Sequence, residues 1–444
     1  MKRLLPALML TTLSACASNS SQQAQSSEAS SPQANAPKNI IMVVGDGMGP
    51  AYTAAYRYFK DNPQTPEIEA TVFDDILVGR SSTYPAQVSG YVTDSAASGT
   101  ALATGHKSYN GAIGVDVNKA PVQSVLQYAK SIGKTTGLVV TSQINHATPA
   151  SYAAHVESRR QYDLIADQYF DNRIGQEHTV DVMLGGGWSY FIRDDRDITK
   201  EFQQDGYQYL NDYAQLASIN NDKVLGLFAD KGLPWALDDK QPQRLKSMAT
   251  AAIDRLDNND NGFFMLIEGS QVDWGGHSND IAVAMSEMDD LAVTVQWLKD
   301  YVAKHPDTLV VMTADHSTGG FTIAANGEYA WRPEFIKNLS ASPQSIAGKQ
   351  IKNGFDAAVI SGQLGFELNK EEVTTLTAAH REGKKALYVA LKKVIDVRTN
   401  TGWTTSGHTG VDVPVFAFGP GSELFAGQLD NTDIAKRIFK LLGK

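Results

Sequence analysis

Continuous apolar runs recur along this chain, and polar residues directly follow four of them and precede the fifth. Runs rich in valine, isoleucine, leucine and phenylalanine are typical of strands that are covered on both faces of a parallel sheet. The runs are NIIMVV (39–44), TGLVVTS (136–142), GFFMLI (262–267), DTLVVMTA (307–314) and VPVFAFG (413–419). They predict a mainly parallel central sheet.

Apolar positions at helical spacing lie between these runs. The segment 122–133 is amphipathic and ends at a glycine, and the longer segment 281–306 ends at Pro306. Strands that alternate with helices predict an α/β fold with a doubly wound sheet and helices on both of its faces. In such folds ligands bind beyond the carboxyl ends of the strands.

The polar residues beside the strands are mostly of the types that bind metal ions, and all but His408 follow their strand. One acid after a strand is often only a helix cap or a turn former, but several such clusters favour a shared site. The candidates are Asp46, His146, Thr148, Glu268, Asp273, His277, Asp315, His316 and His408.

Histidine and carboxylate ligands without thiolate suit a catalytic zinc better than a closed structural one. Asp273 and His277 are four residues apart, which places both side chains on one face of a helical turn. His408 could complete a three-ligand zinc site with one position open for water or substrate.

Two further metal sites can be assembled from the remaining candidates. Asp46, Asp315 and His316 could hold a second zinc. Thr148 and Glu268 offer only oxygen, which suits a hard ion such as Mg²⁺. Two zinc ions are an arrangement suited to in-line displacement at phosphorus.

The segment TDSAASGTALATG (93–105) contains a candidate nucleophile. Asp94 and Ser95 stand at the predicted start of a helix made almost entirely of small residues. A serine beside zinc at a helix N-terminus can ionise near neutral pH, and the helix dipole favours a phosphoryl group there. The alternative for Ser95 is a plain helix-capping serine.

A bound phosphate also needs a cationic partner. The pattern predicts that the helix beginning at His146 runs on to Arg159 and Arg160, and arginine binds phosphate oxygens with two hydrogen bonds. Two solvated arginines at a helix end are the alternative.

The first 37 residues differ from the rest of the chain. A basic start and the apolar run 4–13 predict an export signal over 1–16, and Leu-Ser-Ala-Cys resembles a lipobox with lipidation at Cys16. An ordinary signal peptide with an incidental cysteine is the alternative. Residues 17–37 predict a flexible tether. No aspartate directly follows Cys16, and its absence favours anchoring in the outer membrane over retention in the inner membrane.

The net charge of −10 argues against a nucleic-acid-binding surface. An anionic substrate must therefore be held by local cations and not by the field of the whole molecule. The single cysteine rules out a disulfide within the chain.

Six motifs together resemble those of bacterial alkaline phosphatases, and the resemblance covers residues 38–444. They are GDGMG (45–49), TDSAASGTALATG (93–105), HATPASYAAHVESR (146–159), EGSQVDWGGH (268–277), TADHSTGG (313–320) and SGHTG (406–410). The resemblance implies a periplasmic homodimer that hydrolyses small phosphate monoesters for phosphate scavenging, and the lipobox adds a lipid anchor. It also implies a crown or lid inserted over about 321–400.

The resemblance implies a role for each candidate residue. Ser95 matches the family's phosphorylated nucleophile and Arg159 its phosphate clamp, while Arg160 stays solvated. The implied ligands are Asp273, His277 and His408 for the first zinc, Asp46, Asp315 and His316 for the second, and Asp46, Thr148 and Glu268 for Mg²⁺.

Two positions depart from the best-known enteric members of the family. His146 stands where those have aspartate, and Trp274 stands where they have lysine. Imidazole at the third site could admit Zn²⁺ or Co²⁺ in place of Mg²⁺. Without the lysine we expect weaker phosphate binding.

Other activities are alternatives to monoester hydrolysis. A phosphodiesterase, sulfatase or phosphonate hydrolase would share the metal scaffold, although diesterases often use threonine as the nucleophile and sulfatases need a different motif. A surface lipoprotein that binds phosphate or zinc without turnover is an alternative of another class, but it would need no Ser95.

Overall fold

A ten-stranded sheet runs through the computed structural model, which describes residues 36–241 and 243–444. Its strand order is β16-β2-β15-β10-β1-β9-β3-β6-β8-β7. Nine strands run in one direction, and β15 alone is antiparallel to both of its neighbours. The prediction of a mainly parallel sheet is confirmed.

The strands are numbered in chain order, and short ones outside this sheet are included. They are β1 (Asn39–Gly45), β2 (Leu77–Ser82), β3 (Thr135–Gln143), β4 (Arg173–Ile174), β5 (Glu177–His178), β6 (Val182–Gly186), β7 (Gln208–Leu210), β8 (Val224–Leu227), β9 (Phe263–Gly269), β10 (Thr308–Thr313), β11 (Ser317–Thr318), β12 (Thr322–Ile323), β13 (Thr401–Gly402), β14 (His408–Thr409), β15 (Val413–Phe418) and β16 (Gly427–Asp430).

The α-helices cover both faces of the sheet. They are α1 (Pro50–Lys60), α2 (Val72–Asp75), α3 (Ser95–Thr104), α4 (Val125–Ser131), α5 (Ala147–Ala153), α6 (Tyr162–Asp171), α7 (Trp188–Phe191), α8 (Ile198–Gln204), α9 (Arg244–Leu256), α10 (Gln271–His277), α11 (Ile281–Lys304), α12 (Glu334–Lys337), α13 (Pro343–Asn353), α14 (Ala357–Leu364), α15 (Lys370–Glu382), α16 (Lys384–Thr399) and α17 (Asn431–Leu441).

Strand β1 shows why these sequences form buried strands. Successive side chains of a strand point to opposite faces, so Ile41 and Val43 enter one core and Ile40 and Met42 enter the other. The first core is shared with α9 and α11, and the second with α3, α4 and α17. A continuous apolar run is therefore required, because neither face of β1 meets water.

The two predicted helices between strands are present with shorter bounds. Ser124 caps α4 by accepting a hydrogen bond from the backbone N–H of Gln127, so the helix begins after the predicted residue 122. Asp280 caps α11, which ends at Lys304, two residues before Pro306.

The segment predicted as an insertion contains β12 and the helices α12 to α16. Helix α16 packs on α11, α13 and α15, which joins the segment to the helical layer on one face of the sheet. Its role as a crown or lid remains a prediction.

The predicted signal peptide, with Cys16, lies outside the described residues, as does nearly all of the predicted tether. Within the described residues, we find no helix whose length and apolar character would let it cross a membrane.

Candidate active site

Four central strands bring the predicted site residues to one edge of the sheet. The strands β10, β1, β9 and β3 are neighbours, and β1 is parallel to β9 and β10 while β9 is parallel to β3. Their carboxyl ends therefore meet at the same edge. The residues at or just after these ends are Asp46, His146, Thr148, Glu268, Asp273, Asp315 and His316.

Ser95 is the first residue of α3 and is almost completely buried. Asp94 caps the helix by accepting a hydrogen bond of 3.0 Å from the backbone N–H of Ala97. The Ser95 hydroxyl oxygen lies 3.1 Å from Nε2 of His316. The predicted helix start is confirmed, and it places a hydroxyl beside a candidate metal ligand.

The small residues of α3 are needed because the helix packs closely against α5. All ten residues of α3 are buried. A Cβ atom on Gly99 would lie 3.1 Å from Oγ of Ser151 and 3.2 Å from Cα of Thr148. Bulk at this position would push α3, and Ser95 with it, away from the strand ends.

Asp273, His277 and His408 form one compact group. The Nε2 atoms of the two histidines are 3.1 Å apart, and Nε2 of His277 is 3.3 Å from Oδ2 of Asp273. Nε2 of His408 is 3.6 Å from Oδ1 of Asp273. Zinc–nitrogen and zinc–oxygen bonds are about 2.0–2.2 Å long, so ligand atoms at these separations can share one ion. Helix α10 supplies the first two residues from one face, as predicted.

Backbone carbonyls fix the orientation of both histidines in this group. Nδ1 of His277 lies 2.6 Å from the carbonyl oxygen of Ser406, and Nδ1 of His408 lies 2.8 Å from that of Thr93. A carbonyl accepts only, so each Nδ1 carries a proton and Nε2 is the nitrogen through which each ring can bind a metal.

Asp46, Asp315 and His316 form a second group, which is fully buried. Nε2 of His316 is 3.4 Å from Oδ1 of Asp46 and 3.1 Å from Oδ2 of Asp315. Asp273 also lies near this group, since its carboxylate, Asp46 and His316 offer ligand atoms within 4.8 Å of one another. The two groups are therefore adjacent.

Several buried oxygen atoms near these groups have no hydrogen-bond partner within the part of the chain that the structure describes. They are both carboxylate oxygens of Asp46, Oδ2 of Asp315, Oε1 of Glu268 and Oγ1 of Thr148. Buried polar atoms are nearly always paired in folded proteins, because an unpaired one costs about 1–3 kcal/mol. Unpaired oxygens among buried carboxylates fit cation ligands, so the residues present suit metal ions.

The pKa values of the carboxyl groups also indicate that cations bind among them. Burial, followed by the charges of Asp315, Asp273 and Glu268, raises the pKa of Asp46 well above its ordinary value. Burial raises the pKa of Glu268 to about 8. These carboxyl groups cannot all ionise together unless cations neutralise them.

Asp273 has the opposite shift. Burial works against its ionisation, but the hydrogen bond with His277 and the neighbouring imidazoles outweigh burial and hold the pKa of Asp273 below its ordinary value. The same contact raises the pKa of His277 to about 9 against the effect of burial. Asp273 is therefore a charged ligand candidate at neutral pH.

The structure corrects the prediction that Arg159 lies on the helix that begins at His146. Helix α5 ends at Ala153, and Ala154 is already extended. The chain then forms a bridge between Val156 and Ile113, and this pairing outweighs continuation of the helix. Arg159 consequently lies in a loop that returns toward α3.

Arg159 nevertheless faces the site. Its Nη1 atom is 3.1 Å from Oδ2 of Asp94, and its Nη2 atom is 3.2 Å from Nε2 of His146. Asp94 therefore orients the guanidinium group beside Ser95. The neighbouring Arg160 makes no ion pair within the described residues and belongs to the surface loop, in agreement with its predicted solvated state.

His146 contacts this guanidinium group, and Trp274 lies next to His146. Their rings are 5.8 Å apart between centroids and nearly perpendicular. Burial, followed by the charge of Arg159, lowers the pKa of His146 to about 3, so its ring is neutral. The two positions at which this sequence differs from the enteric enzymes are thus occupied by two uncharged rings in contact with each other.

Thr318 is a site residue that sequence reasoning missed. Its hydroxyl donates to Oδ1 of Asp273 over 2.5 Å and lies 3.2 Å from Nδ1 of His316. It thereby links the two metal-ligand groups. The motif TADHSTGG contains Thr318, but a threonine two residues after a histidine gives no signal of its own.

Sequence reasoning also missed Ser270, because a serine two residues after an acid gives no signal of its own. Its hydroxyl donates to Oε2 of Glu268 over 2.6 Å, which leaves Oε1 free. The Ser95 helix receives comparable support from Ser98, whose hydroxyl donates to the carbonyl of Asp315 over 2.7 Å.

Comparison with known proteins agrees with this geometry. The family model of alkaline phosphatase matches residues 37–444. Alkaline phosphatase 3 of Bacillus subtilis is 46% identical over 99% of this chain and 97% of its own length, and alkaline phosphatase 4 of the same species is 48% identical over 91% and 88%.

Solved structures give the same result. A cold-active alkaline phosphatase from a psychrophilic Shewanella species superposes with a TM-score of 0.88 and is 53% identical, over 91% of this chain and 100% of that one. A variant of the alkaline phosphatase from the Antarctic bacterium TAB5, in which a histidine is replaced by aspartate, carries Mg in its M3 site. It is 29% identical, with a TM-score of 0.69, over 92% and 99% of the two chains.

The family match over most of the chain, the identity to the Bacillus enzymes and the buried carboxylate and histidine groups lead to one conclusion. The chain belongs to the alkaline phosphatase family and is a metal-dependent hydrolase of phosphate monoesters.

Proposed function

We propose that this protein hydrolyses phosphate monoesters in two displacement steps, with Ser95 as the nucleophile and a phosphoserine as the intermediate. One observation carries the proposal. The Ser95 hydroxyl lies at the N-terminus of a buried helix, 3.1 Å from Nε2 of His316. A helix N-terminus favours an anionic group, so a phosphoryl group is stabilised where the hydroxyl can reach it.

In the first step the Ser95 oxygen forms a bond to phosphorus while the bond from phosphorus to the alcohol oxygen breaks. The alcohol leaves with a proton. In the second step a water oxygen attacks the same phosphorus, the bond to Ser95 breaks, and inorganic phosphate leaves as the serine regains its proton. Arg159 holds the non-bridging phosphate oxygens through both steps.

Three sets of residues would hold the metal ions of this proposal. Asp273, His277 and His408 would hold one Zn²⁺, and Asp46, Asp315 and His316 a second. Asp46, Thr148 and Glu268 would hold a third ion, and their oxygen ligands suit Mg²⁺. When bound, the ions lower the pKa of the serine hydroxyl and neutralise charge on the phosphoryl oxygens.

The third ion could also be Zn²⁺ or Co²⁺ in this protein. His146 lies beside the site and its buried Nδ1 atom has no hydrogen-bond partner among the described residues; because Nε2 accepts from Arg159, Nδ1 would bind an ion after releasing its proton. A neutral imidazole nitrogen suits these ions better than it suits Mg²⁺.

The central experiment measures hydrolysis of p-nitrophenyl phosphate and of bis-p-nitrophenyl phosphate by the chain from residue 17, with Zn²⁺ and Mg²⁺ present. We expect turnover of the monoester, loss of it in Ser95→Ala, and a phosphorylated Ser95 in mass spectra after acid quench. Faster turnover of the diester would refute the substrate class. An unmodified Ser95 during turnover would refute the intermediate.

We further propose that the protein is exported to the periplasm and anchored to the outer membrane through a lipid on Cys16, where it scavenges phosphate. The basic start and the lipobox-like tetrapeptide of the sequence support this. Mass spectrometry of the native amino terminus tests it. An unmodified Cys16, or an unchanged membrane fraction for Cys16→Ala, would refute the anchor.

We propose a homodimer as the working form. The segment before Asp94 carries exposed apolar side chains, with Tyr91 88% and Val88 76% exposed, and such side chains are often covered by a partner. Sedimentation velocity at enzyme concentrations near the assay range tests this, and a monomer at all concentrations would refute it.

A further inference from the structure

Helix α16 contacts the chain directly after the candidate zinc ligand His277. Nζ of Lys392 donates a hydrogen bond to the carbonyl of Ser278. The hydroxyl of Tyr388 donates to Oδ2 of Asp280 over 3.1 Å. The segment predicted as an insertion is therefore bonded to the stretch of chain that follows this ligand.

The same helix contacts the chain that leads to His408, the other histidine of the group. Nε1 of Trp403 donates over 3.2 Å to Oδ1 of Asp396, in the last turn of α16. The indole lies against the backbone of Gly319, where a Cβ atom would be 2.6 Å from Cε3 of the ring. Its centroid is 5.0 Å from that of Phe321. Trp403 is thus held between α16 and the chain that follows β11.

Residues 404–406, which follow Trp403, are exposed to water, and we call them the exposed turn. The backbone N–H groups of Thr404 and Thr405 donate to the carbonyl of Gly319 over 3.1 and 3.3 Å. Gly319 is also the residue that the indole of Trp403 covers. The position of the exposed turn is therefore linked to the position of this ring.

The exposed turn supplies the acceptor that orients His277. Nδ1 of His277 lies 2.6 Å from the carbonyl oxygen of Ser406, and Nδ2 of Asn279 donates to the carbonyl of Thr405 over 2.9 Å. The side chain of His277 is 41% exposed, so packing alone does not fix its ring, whereas that of His408 is only 11% exposed. The direction of the His277 ring depends on where the exposed turn holds the carbonyl of Ser406.

An exposed turn needs an anchor to hold a carbonyl in one place. Water competes for polar groups at the surface, and turns with few buried contacts are among the more mobile parts of a fold. Trp403 is half-buried and packs against the hydrophobic cluster to which α11 and α16 contribute. It joins the exposed turn to the rigid part of the molecule.

We propose that Trp403 is a positioning residue for the first zinc ion, and this rests on the ligand set proposed above. Its indole holds the exposed turn where the carbonyl of Ser406 accepts from Nδ1 of His277. Nε2 of that ring is then directed at the other two ligands of the group. The hydrogen bond to Asp396 extends this support to α16. The segment 321–400 thereby contributes to the strength of zinc binding.

The test measures the affinity of the metal-free protein for Zn²⁺ by competition with a chromophoric chelator, without substrate. Trp403→Leu removes the ring and its hydrogen bond. Trp331→Leu is the matched control, because Trp331 packs against the same hydrophobic cluster and its Nε1 donates to Oγ1 of Thr401 over 3.0 Å. Among the described residues no hydrogen bond joins Trp331 to the exposed turn. Urea unfolding of the metal-free variants checks that both fold.

We expect the affinity for one Zn²⁺ to fall at least about tenfold in Trp403→Leu, because the partners that orient a metal ligand typically contribute this much. The affinity of Trp331→Leu should stay within about twofold of the unmodified protein, since no ligand is oriented through that ring. Unchanged affinity in Trp403→Leu, or an equal loss in the control, would overturn the proposal.

Two variants of Asp396 test the link to α16. Asp396→Asn keeps an oxygen that can accept from the indole of Trp403, whereas Asp396→Ala removes it. We expect Asp396→Ala to weaken zinc binding about twofold to tenfold, the range for one hydrogen bond, and Asp396→Asn to weaken it less. Equal affinities of the two variants would overturn the contribution of α16.

A double-mutant cycle shows whether Trp403 acts through His277. His277→Ala removes the ligand itself. In that background Trp403→Leu should change zinc affinity by no more than about twofold, because residues that act through one another have non-additive effects. Losses that add fully would overturn the route through His277.

The titration also separates failure of this proposal from failure of the proposed function. If Ser95 proves not to be the nucleophile, the zinc affinities still support or overturn the role of Trp403, since no turnover is measured. If His277→Ala binds zinc as tightly as the unmodified protein, the proposed ligand set is wrong, and the role of Trp403 is overturned with it.

Discussion

Substitutions of Asp94 can separate an effect on folding stability from an effect on phosphate binding. Its Oδ1 atom accepts hydrogen bonds from the backbone N–H groups of Ala97 and Gly111, each 3.0 Å long. Its Oδ2 atom pairs with Nη1 of Arg159 at 3.1 Å. The variant Asp94→Asn keeps Oδ1 as an acceptor but loses the negative charge, whereas Asp94→Ala loses both.

The magnitudes follow from these contacts. Loss of a helix cap costs about 1 kcal/mol, and an unpaired backbone N–H at Gly111 costs a further 1–2 kcal/mol or so. The side chains of Asp94 and Arg159 are 23% and 21% exposed, so solvent only partly screens their pair, which adds about 1 kcal/mol. We expect Asp94→Ala to lose about 3 kcal/mol of stability and Asp94→Asn about 1 kcal/mol.

The affinity for phosphate should depend on the negative charge of Asp94 and not on its role as the helix cap. Burial works against the charged form of Arg159, but Asp94 outweighs burial and raises the pKa of this guanidinium. Asp94 also fixes its direction. Without the carboxylate, the inhibition constant for inorganic phosphate should rise about tenfold in both variants, as expected for a loss of about 1.4 kcal/mol.

Urea unfolding followed by tryptophan fluorescence measures the stability, and inhibition of p-nitrophenyl phosphate hydrolysis measures phosphate binding. Asp356→Ala is the matched control, because Asp356 caps α14 through two backbone N–H groups in the segment 321–400. Asp356→Ala should lower the free energy of unfolding, because the cap of α14 is lost, and should leave the affinity for phosphate unchanged. Equal destabilisation of Asp94→Asn and Asp94→Ala, or unchanged phosphate inhibition in both, would refute the reasoning.

Three further predictions concern the site and its surroundings. Trp274→Lys should lower the inhibition constant for phosphate, since it adds a cation beside the neutral His146; no change relative to Trp274→Phe would contradict this. Asp46→Ala should remove more bound metal than Glu268→Ala, because Asp46 serves two of the proposed ion sites; metal analysis after dialysis would count the ions, and equal losses would contradict the assignment. Burial raises the pKa of Asp396 to about 7, so the folded state binds its proton more tightly than the unfolded state does, and stability should fall as pH rises from about 4 to 7. Subtracting the urea stability curve of Asp396→Asn isolates this slope, and an identical slope in both proteins would contradict it.

The sheet and much of the site could be predicted because they depend on local pattern. Continuous apolar runs are needed where both faces of a strand are buried, as for Ile40 and Ile41 of β1. The four-residue spacing of Asp273 and His277 fixes their shared face through helix geometry alone. Neither inference needs knowledge of distant parts of the chain.

Contacts between distant segments could not be predicted in this way. The position of Arg159 depends on the bridge between Val156 and Ile113, which competes with continuation of α5. Thr318 reaches Asp273 only because the chain folds back across the strand ends. The cavity beside α10 likewise joins segments that are far apart in sequence, from the loop 233–238 to α16.

The nucleophile helix α3 has a consequence for the order in which the enzyme forms. It is buried between α5 and α17, and Asn431 of α17 donates to the hydroxyl of Ser98 over 3.2 Å. The carbonyl of Thr93, next to this helix, orients His408, which lies 315 positions later in the chain. Contacts of such long sequence separation form late in folding. Ser95 therefore reaches its working position only after α17 has docked, so we expect no phosphatase activity from a chain whose synthesis has not yet reached α17.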